Sequence, residues 1–420
     1  MIMETHQKLT IGLFGFGVVG EGLYKVLQQT PSLNATIKKV CIKNINKKRS
    51  APVDLFTSDK NVLLNDPEIN VIVEVINESG PAFEIVSTAL KNGKDVVSAS
   101  KKMIAEHLVE LLGLQKQTGR SLLYEAAACA SIPIIRNLEE YYDNDLLHAI
   151  RAIVNGSTNF ILTKMFEDKL SFKDALLLAQ QLGFAESDPS LDVEGYDAVN
   201  KWTFLLTHAY GIVEHPDNIV FNGIQDIQLS DAQVAAEKHF DIKLVAQAKK
   251  LSNGKVAAFV LPQFVKHDDH LAFVKNEYNG VVIESGFADK QFFYGKGAGS
   301  FPTASAVLSD LSALRYQYRY EYKKLYHHKP HELSNAFYIK AYISFDDWKF
   351  IPKERFEWIE EWHAESDRKY LVAVLPFEEL RKNNWWRENQ TSLILSPDPV
   401  IEDVDIRKLK KKSLELAGII

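Results

Sequence analysis

The sequence predicts an α/β protein of two structural domains and a tail, and three observations predict it. Over residues 9–125 strand-like and helical runs alternate with short links, the pattern of a parallel sheet with right-handed crossovers. The first of these strands feeds a G-x-G-x-x-G turn that opens a helix. From residue 146 most strand-like runs follow one another across turn residues, the pattern of an antiparallel sheet with helices on one face. The expected architecture is a Rossmann-type dinucleotide-binding domain at 1–135, completed by a helix at 303–325, an α+β domain with an antiparallel sheet at 136–302, and a small C-terminal α/β appendage at 331–420.

The first domain is read from its strands. Residues 9–14 are an apolar strand that runs into Gly15-Phe16-Gly17-Val18-Val19-Gly20, and the helical run EGLYKVLQQ follows. The first glycine permits the tight turn, the second lets backbone approach a pyrophosphate, and the third lets helix and strand pack closely. The helix N-terminus favours the anion, so all six residues are candidate cofactor contacts. The second strand, 37–42, ends without the acid that would hold the ribose hydroxyls of NAD. Lys43-Asn44 stands there instead, with Lys47, Lys48 and Arg49 just after and no acid until Asp54. Those cations suit a 2′-phosphate, so the expected cofactor is NADP(H) in preference to NAD(H), with Lys43 a contact; a solvated basic loop is the plainer alternative. Strand 70–76, helix 83–90 and strand 95–98 continue the alternation, and the last ends in Ser98-Ala99-Ser100-Lys101-Lys102. Ligands of open parallel sheets lie beyond the carboxyl ends of the strands, which brings Lys101 or Lys102 within reach of one. Residues 121–125 are the next strand.

The second domain opens with strand 146–154 and the polar turn Asn155-Gly156-Ser157-Thr158-Asn159-Phe160, which starts the helix ILTKMFEDK. A further helix begins at Phe172 and stops at Gly183. The most informative stretch follows, LGFAESDPSLDVEGYDAVNK at 182–201, where Glu186, Asp188, Asp192, Glu194 and Asp197 precede Lys201. Asp197 and Lys201 are four apart and share one face of a mostly apolar helix, AVNKWTFLLTHAY. A lysine held by carboxylates in a cleft can neighbour an ammonium group and shuttle a proton; an ordinary surface ion pair is the bland alternative. Strand-like runs at 256–261, 271–274, 281–284 and 291–294 come next. The glycine-rich 295–303 then leads into the helix ASAVLSDLSALRYQY, either closing over a cofactor or serving as a plain turn.

Composition narrows the class. The charge balance of 49 basic against 55 acidic residues, net −6, argues against a general nucleic-acid binder. Two cysteines, Cys41 and Cys129, in strand-like and apolar settings fit a reducing compartment without a disulfide framework. The opening MIMETHQKLTIG carries no apolar signal-like run, and no stretch of about 18 apolar residues occurs. A cytoplasmic protein with no membrane or nucleic-acid partner is expected.

In this order the pieces resemble homoserine dehydrogenase. The resemblance is carried by GFGVVG at 15–20, SASKK at 98–102, NGSTNFIL at 155–162, ESDPSLDVEGYDAVNK at 186–201 and GKGAGSFPTASAV at 295–307, and spans roughly 9–325. It implies NAD(P)-dependent interconversion of L-homoserine and L-aspartate 4-semialdehyde, on the route to threonine and methionine. It also implies a catalytic and dimerising second domain whose sheet joins a homodimer. Lys201 is then the catalytic lysine, exchanging a proton with the substrate oxygen, and Asp197 and Glu186, with Asp192 between them, hold the substrate. Lys101 becomes a second catalytic or positioning lysine, and Gly183 and Gly297 line the cofactor. A monovalent cation, Na+ or K+, is implied on the Glu125 side chain and the backbone carbonyls of Ala128, Ala130 and Ile132. The family often has glycines around that turn, where this chain has Cys129 and Ser131. The chemistry agrees with these roles: carbonyl reduction needs a hydride donor and an acid near the oxygen, which a lysine screened from water supplies.

Other features read more plainly. Cys129 has no histidine near it in sequence and is expected to be a packing thiol rather than a nucleophile. His148 is expected to be structural, His327-His328 to be a loop pair without spaced metal partners, and RKLKKK at 407–412 to be a solvated helix face. The tail holds the strand AFYIKAYISF and then Trp348, Trp358, Trp362, Trp385 and Trp386. Some homoserine dehydrogenases carry a βαββαβ regulatory domain here, but its Pro-Gly turn is replaced by Asp346-Asp347-Trp348, so a degenerate relative without threonine sensing is expected, or a dimer contact. Two other functions stay open: another NAD(P)-dependent amino-acid oxidoreductase, and a nucleotide sensor without catalysis. The joint presence of Glu186, Asp197 and Lys201 argues against the sensor.

Overall fold

Strands β1 (Leu9–Phe14), β2 (Ala35–Cys41), β3 (Phe56–Thr57), β4 (Val71–Glu74), β5 (Asp95–Ser98) and β6 (Leu122–Leu123) form a sheet in the order β3-β2-β1-β4-β5-β6. Every pairing is parallel, and this is the strand order of the doubly wound dinucleotide-binding fold. Its central strands are continuous apolar runs, with all four residues of β4 buried, because helices cover both faces. These helices are α1 (Val18–Gln29), α2 (Asn61–Leu64), α3 (Ser79–Lys91), α4 (Lys101–Glu106), α5 (Leu108–Thr118) and α6 (Glu125–Cys129). The computed structural model of the chain describes residues 8–144, 146–364, 369–388, 391–403 and 405–406, so the basic run at 407–412 lies outside the described residues.

Two compact units are present. The first comprises Met1–Asp145, Thr203–Pro216 and Gly295–Pro330. The helix expected at 303–325 belongs to it but is shorter and begins earlier, at Ser300, ending at Leu314. This helix returns to α1, where the Ser300 hydroxyl donates to the Val18 carbonyl at 2.8 Å.

The second unit comprises Leu146–Trp202, Asp217–Tyr294 and His331–Ile420. Its strands are β7 (Leu147–Ile153), β8 (Val220–Phe221), β9 (Phe240–Lys250), β10 (Val256–Lys266), β11 (Tyr278–Ser285), β12 (Asp289–Lys296), β13 (Tyr338–Phe345), β14 (Trp358–His363), β15 (Lys369–Pro376) and β16 (Ser392–Ile401). They make one mixed sheet ordered β12-β11-β7-β9-β10-β16-β13-β15-β14, with β8 added on β10. Helices α7 (Gly156–Glu167), α8 (Phe172–Gln181), α9 (Ser190–Val193) and α11 (Leu229–Glu237) belong to this unit, while α10 (Tyr196–Tyr210) contributes its first residues to it and the rest to the first. None of the described helices is long and apolar enough to cross a membrane.

One sequence expectation is corrected. Residues 271–274 are not a strand: His270–Phe273 is a 3-10 turn capped by the Asp269 carboxylate, which accepts from Leu271 N at 2.9 Å. The strands of the tail join the sheet of the second unit: β16 pairs in parallel with β10 at Gln263–Leu395, and a single apolar cluster includes Phe259 and Leu261 with Ile339, Ile343, Leu371, Trp386 and Leu395. Within it the order β16-β13-β15-β14 is fourth, first, third, second, the order of a βαββαβ module. Its first helix is replaced by the 3-10 turns Trp348–Phe350 and Lys353–Arg355.

Candidate active site

In the first unit β1 delivers Gly15 into the nucleotide turn at φ +97°, a conformation that suits glycine. A Cβ on Gly20 would lie 2.3 Å from the Gly15 carbonyl oxygen, whereas a Cβ on Gly17 would meet nothing within 4 Å. The third glycine therefore closes helix on strand, and the second leaves backbone open to a phosphate. Phe16 is buried edge-on against Phe56 at 5.0 Å, while Gly17 and Val18 are exposed and Val19 is half-buried. Gly297 sits in the loop before Ser300 of the same unit. At the end of β2, exposed Lys43 pairs with Glu78, an acid from the turn before α3 that lies 35 residues further along the chain.

Lys101 is exposed at the start of α4. The turn that presents it is tied to β4: Ser98 Oγ donates to Glu74 Oε2 at 2.6 Å and accepts from Ser100 N at 3.1 Å. Glu74 is fully buried, and burial pushes its carboxyl up to about 7 against the opposing pull of the Ser98 and Ile76 hydrogen bonds. A carboxyl whose pKa rises on folding stabilises the fold fully below its unfolded value and loses that contribution as pH rises through the folded value. Urea unfolding should show wild-type stability declining between about pH 4.5 and pH 7 more steeply than in Glu74→Gln. Equal slopes in the two proteins refute this.

The proposed cation residues lie in the same unit. Glu125 is buried, its Oε1 accepting from Ile135 N at 2.7 Å and its Oε2 from Arg136 N at 3.0 Å. Asp310 Oδ2 accepts from Glu125 N at 3.0 Å, while its Oδ1 is buried with no hydrogen-bond partner. Burial raises both carboxyls, Asp310 well above the ordinary range. Arg136 is the guanidinium beside the pair, 3.6 Å from Glu125 and 3.7 Å from Asp310, so two buried carboxylates facing one guanidinium suit a cation. Among the described residues no three His, Cys, Asp or Glu side chains gather as a metal site, so such an ion would depend on backbone carbonyls. Cys129 is fully buried.

In the second unit β7 ends at Ile153, and Val154 and Asn155 lead into α7. Asn155 is the N-cap, its Oδ1 accepting from Thr158 N at 2.8 Å. Its amide nitrogen donates to Asp192 Oδ1 at 2.7 Å and to Asp197 Oδ2 at 2.9 Å. Lys201 Nζ lies 2.7 Å from Asp197 Oδ2 and donates to the Val154 carbonyl at 2.7 Å. Asp197 and Lys201 are each only 6% exposed, which removes the surface ion-pair alternative. The structure thus joins Lys201, Asp197 and Asp192 through Asn155, to which the sequence reading gave no role beyond the turn, although an Asn directly before a helix is a capping signal. Glu186 is exposed on the loop before α9 and, among the described contacts, its carboxylate does not join this web. Gly183 is exposed after the end of α8 at φ +78°.

A G-x-G-x-x-G turn on a six-stranded parallel sheet in one unit and a buried lysine held by a carboxylate in the other define a class, the nicotinamide-nucleotide-dependent oxidoreductases. Comparison with known proteins gives the family. Residues 15–125 match the homoserine dehydrogenase NAD-binding domain and residues 133–312 match the homoserine dehydrogenase domain. Homoserine dehydrogenase of Bacillus subtilis (strain 168) is 35% identical over 317 residues, 73% of each chain. The Helicobacter pylori (strain ATCC 700392 / 26695) enzyme is 34% identical over 312 residues, also 73% of each. The crystal structure of a homoserine dehydrogenase from Thiobacillus denitrificans matches with TM-score 0.78 at 27% identity over 93% of this chain and 98% of that one. A hyperthermophilic archaeal homoserine dehydrogenase in complex with NADPH matches with TM-score 0.64 at 28% identity over 75% and 99%. The chain belongs to the homoserine dehydrogenase family, oxidoreductases that interconvert L-homoserine and L-aspartate 4-semialdehyde.

Proposed function

We propose that the chain runs this reaction with NADP(H) in preference to NAD(H), using Lys201 as the proton-exchanging group. The observation that carries the reading is the burial of Lys201 Nζ on Asp197 and the Val154 carbonyl. The bound nicotinamide supplies the hydride chemistry. In the oxidation direction the homoserine hydroxyl proton passes to the Lys201 amine; in reduction the ammonium returns it to the alkoxide oxygen. Asp197 and Val154 fix Nζ, while Asp192 and Glu186 offer carboxylates to the substrate ammonium. Lys101 is the second lysine, and residues 15–20 with Gly183 and Gly297 are the cofactor contacts. A monovalent cation, Na+ or K+, would be held by the buried Glu125 carboxylate and the carbonyls of Ala128, Ala130 and Ile132. A homodimer rests on the family resemblance, and a cytoplasmic location on the cysteine usage.

NADPH absorbance with purified protein, L-homoserine and NADP+ tests the reading. Turnover supports it, whereas cofactor binding without turnover points to the sensor, and turnover only with other amino acids to a different oxidoreductase. The cofactor preference is tested at Lys43. Its exposed pair with Glu78 is worth at most about 1 kcal/mol, so a 2′-phosphate competes for the lysine. Lys43→Ala should raise the NADP+ dissociation constant about tenfold and leave that of NAD+ nearly unchanged. Equal weakening of both overturns the preference.

A further inference from the structure

We propose that Glu74 is a positioning residue that clamps the turn presenting Lys101, acting through Ser98; the proposal rests on the reading of Lys101 as a second lysine of the reaction. The carboxyl end of β4 lies beside that of β5, with Glu74 opposite Ser98 in the ladder. Three hydrogen bonds then fix the residues leading to Lys101. Ala99 N donates to the Glu74 carbonyl at 3.0 Å, Ser98 Oγ to Glu74 Oε2 at 2.6 Å, and Ser100 N to Ser98 Oγ at 3.1 Å. Ser100 is the N-cap of α4, so the bond to its amide sets where that helix starts and where Lys101 leaves it. The other oxygen, Oε1, accepts from Ile76 N at 2.7 Å. That bond holds the Val75-Ile76 turn against the nucleotide turn, where a Cβ on Gly15 would lie 2.8 Å from the Val75 carbonyl and 3.1 Å from Ile76 Cγ2. One carboxylate therefore spans the wall of the phosphate turn and the root of Lys101, both at the end of the sheet where ligands bind. A carboxyl held in full burial is costly. An apolar residue would fill the space and lose both bonds, leaving the Ser98 hydroxyl and the Ile76 amide unpaired.

The test is a double-mutant cycle read in kcat, cofactor affinity and thermal midpoint together. Glu74→Gln and Ser98→Ala are each expected to lower kcat about tenfold, the scale of a slightly misplaced catalytic group, with the NADP+ dissociation constant within about threefold of wild type. Ser98→Thr, which keeps the hydroxyl, should restore kcat. In a Lys101→Ala background neither change should lower kcat further. Wild-type kcat in Glu74→Gln overturns the clamp, as does an undiminished loss in the Lys101→Ala background or a loss that tracks a fall in thermal midpoint alone. Lys101→Ala at the wild-type rate sinks the reading of Lys101, and the clamp with it.

Discussion

Lys201→Ala should lose about a thousandfold in kcat while still binding NADP+, because a positioned acid–base group contributes a factor of this order. Two consequences of the geometry sharpen the expectation. Asp197 is only 6% exposed and sits 2.7 Å from the Lys201 ammonium, so removing the lysine leaves a carboxylate buried without its cation. Breaking one side of a buried pair costs about 3–5 kcal/mol, so the alanine variant should also unfold at lower urea. Asn155 still donates to the same Asp197 oxygen, which keeps the loss toward the lower figure. Lys201→Arg separates the two effects. A guanidinium keeps the positive charge and much of the stability, but does not give up a proton at any working pH. It should be as inactive as alanine and closer to wild type in stability. Activity within tenfold of wild type in either variant would remove Lys201 from the chemistry and leave it as a structural ion pair.

The sequence showed most clearly what is local. The G-x-G-x-x-G turn, the central parallel strands and the helix bearing Asp197 and Lys201 each depend on neighbours a few residues away, and all are present. What it hid depends on tertiary contact. β9 went unread although its residues alternate, Ile242, Leu244, Ala246 and Ala248 between Asp241, Lys243, Gln247 and Lys249; that both faces are buried from Asp241 to Ala248 depends on tertiary packing. Run 271–274 is apolar enough for a strand, yet Asp269 caps it into a 3-10 turn. Lys43 looked unopposed because its acid, Glu78, lies 35 residues away. Nothing local marks Glu74 within strand 70–76, and only the parallel pairing of β4 with β5 brings Ser98 to it. The tail's missing Pro-Gly turn was visible in sequence, but not that its strands would continue the sheet of the second unit.

Gly223→Ala should be the most disruptive single methyl in the second unit. A Cβ there would lie 1.7 Å from the Val193 carbonyl oxygen and 2.5 Å from both Cα and C of Glu194. All three atoms are backbone, so no side chain can turn aside. Neither segment moves freely: Ile224 N donates to that same Val193 carbonyl at 2.7 Å, and Asn222 N donates to the Val260 carbonyl at 3.0 Å, tying the segment to β10. The opposing segment, 193–195, connects Asp192 to Asp197, so whatever relieves the clash shifts the carboxylates around Asn155 and Lys201. The expected outcome is a loss of more than about 4 kcal/mol in stability, beyond the usual range for overpacking, together with a drop in kcat in whatever fraction stays folded. Gly113→Ala is the matched control. Gly113 is exposed in α5 and a Cβ on it would meet nothing within 4 Å, so the same methyl should be neutral or stabilise by up to about 1 kcal/mol through helix propensity. Urea midpoints and single-concentration turnover of both variants decide the matter. If Gly223→Ala matches Gly113→Ala in both, the backbone-to-backbone packing beneath the acidic segment does not hold the site, and the placement of Asp192 and Asp197 rests on side-chain contacts such as those to Asn155 and Lys201.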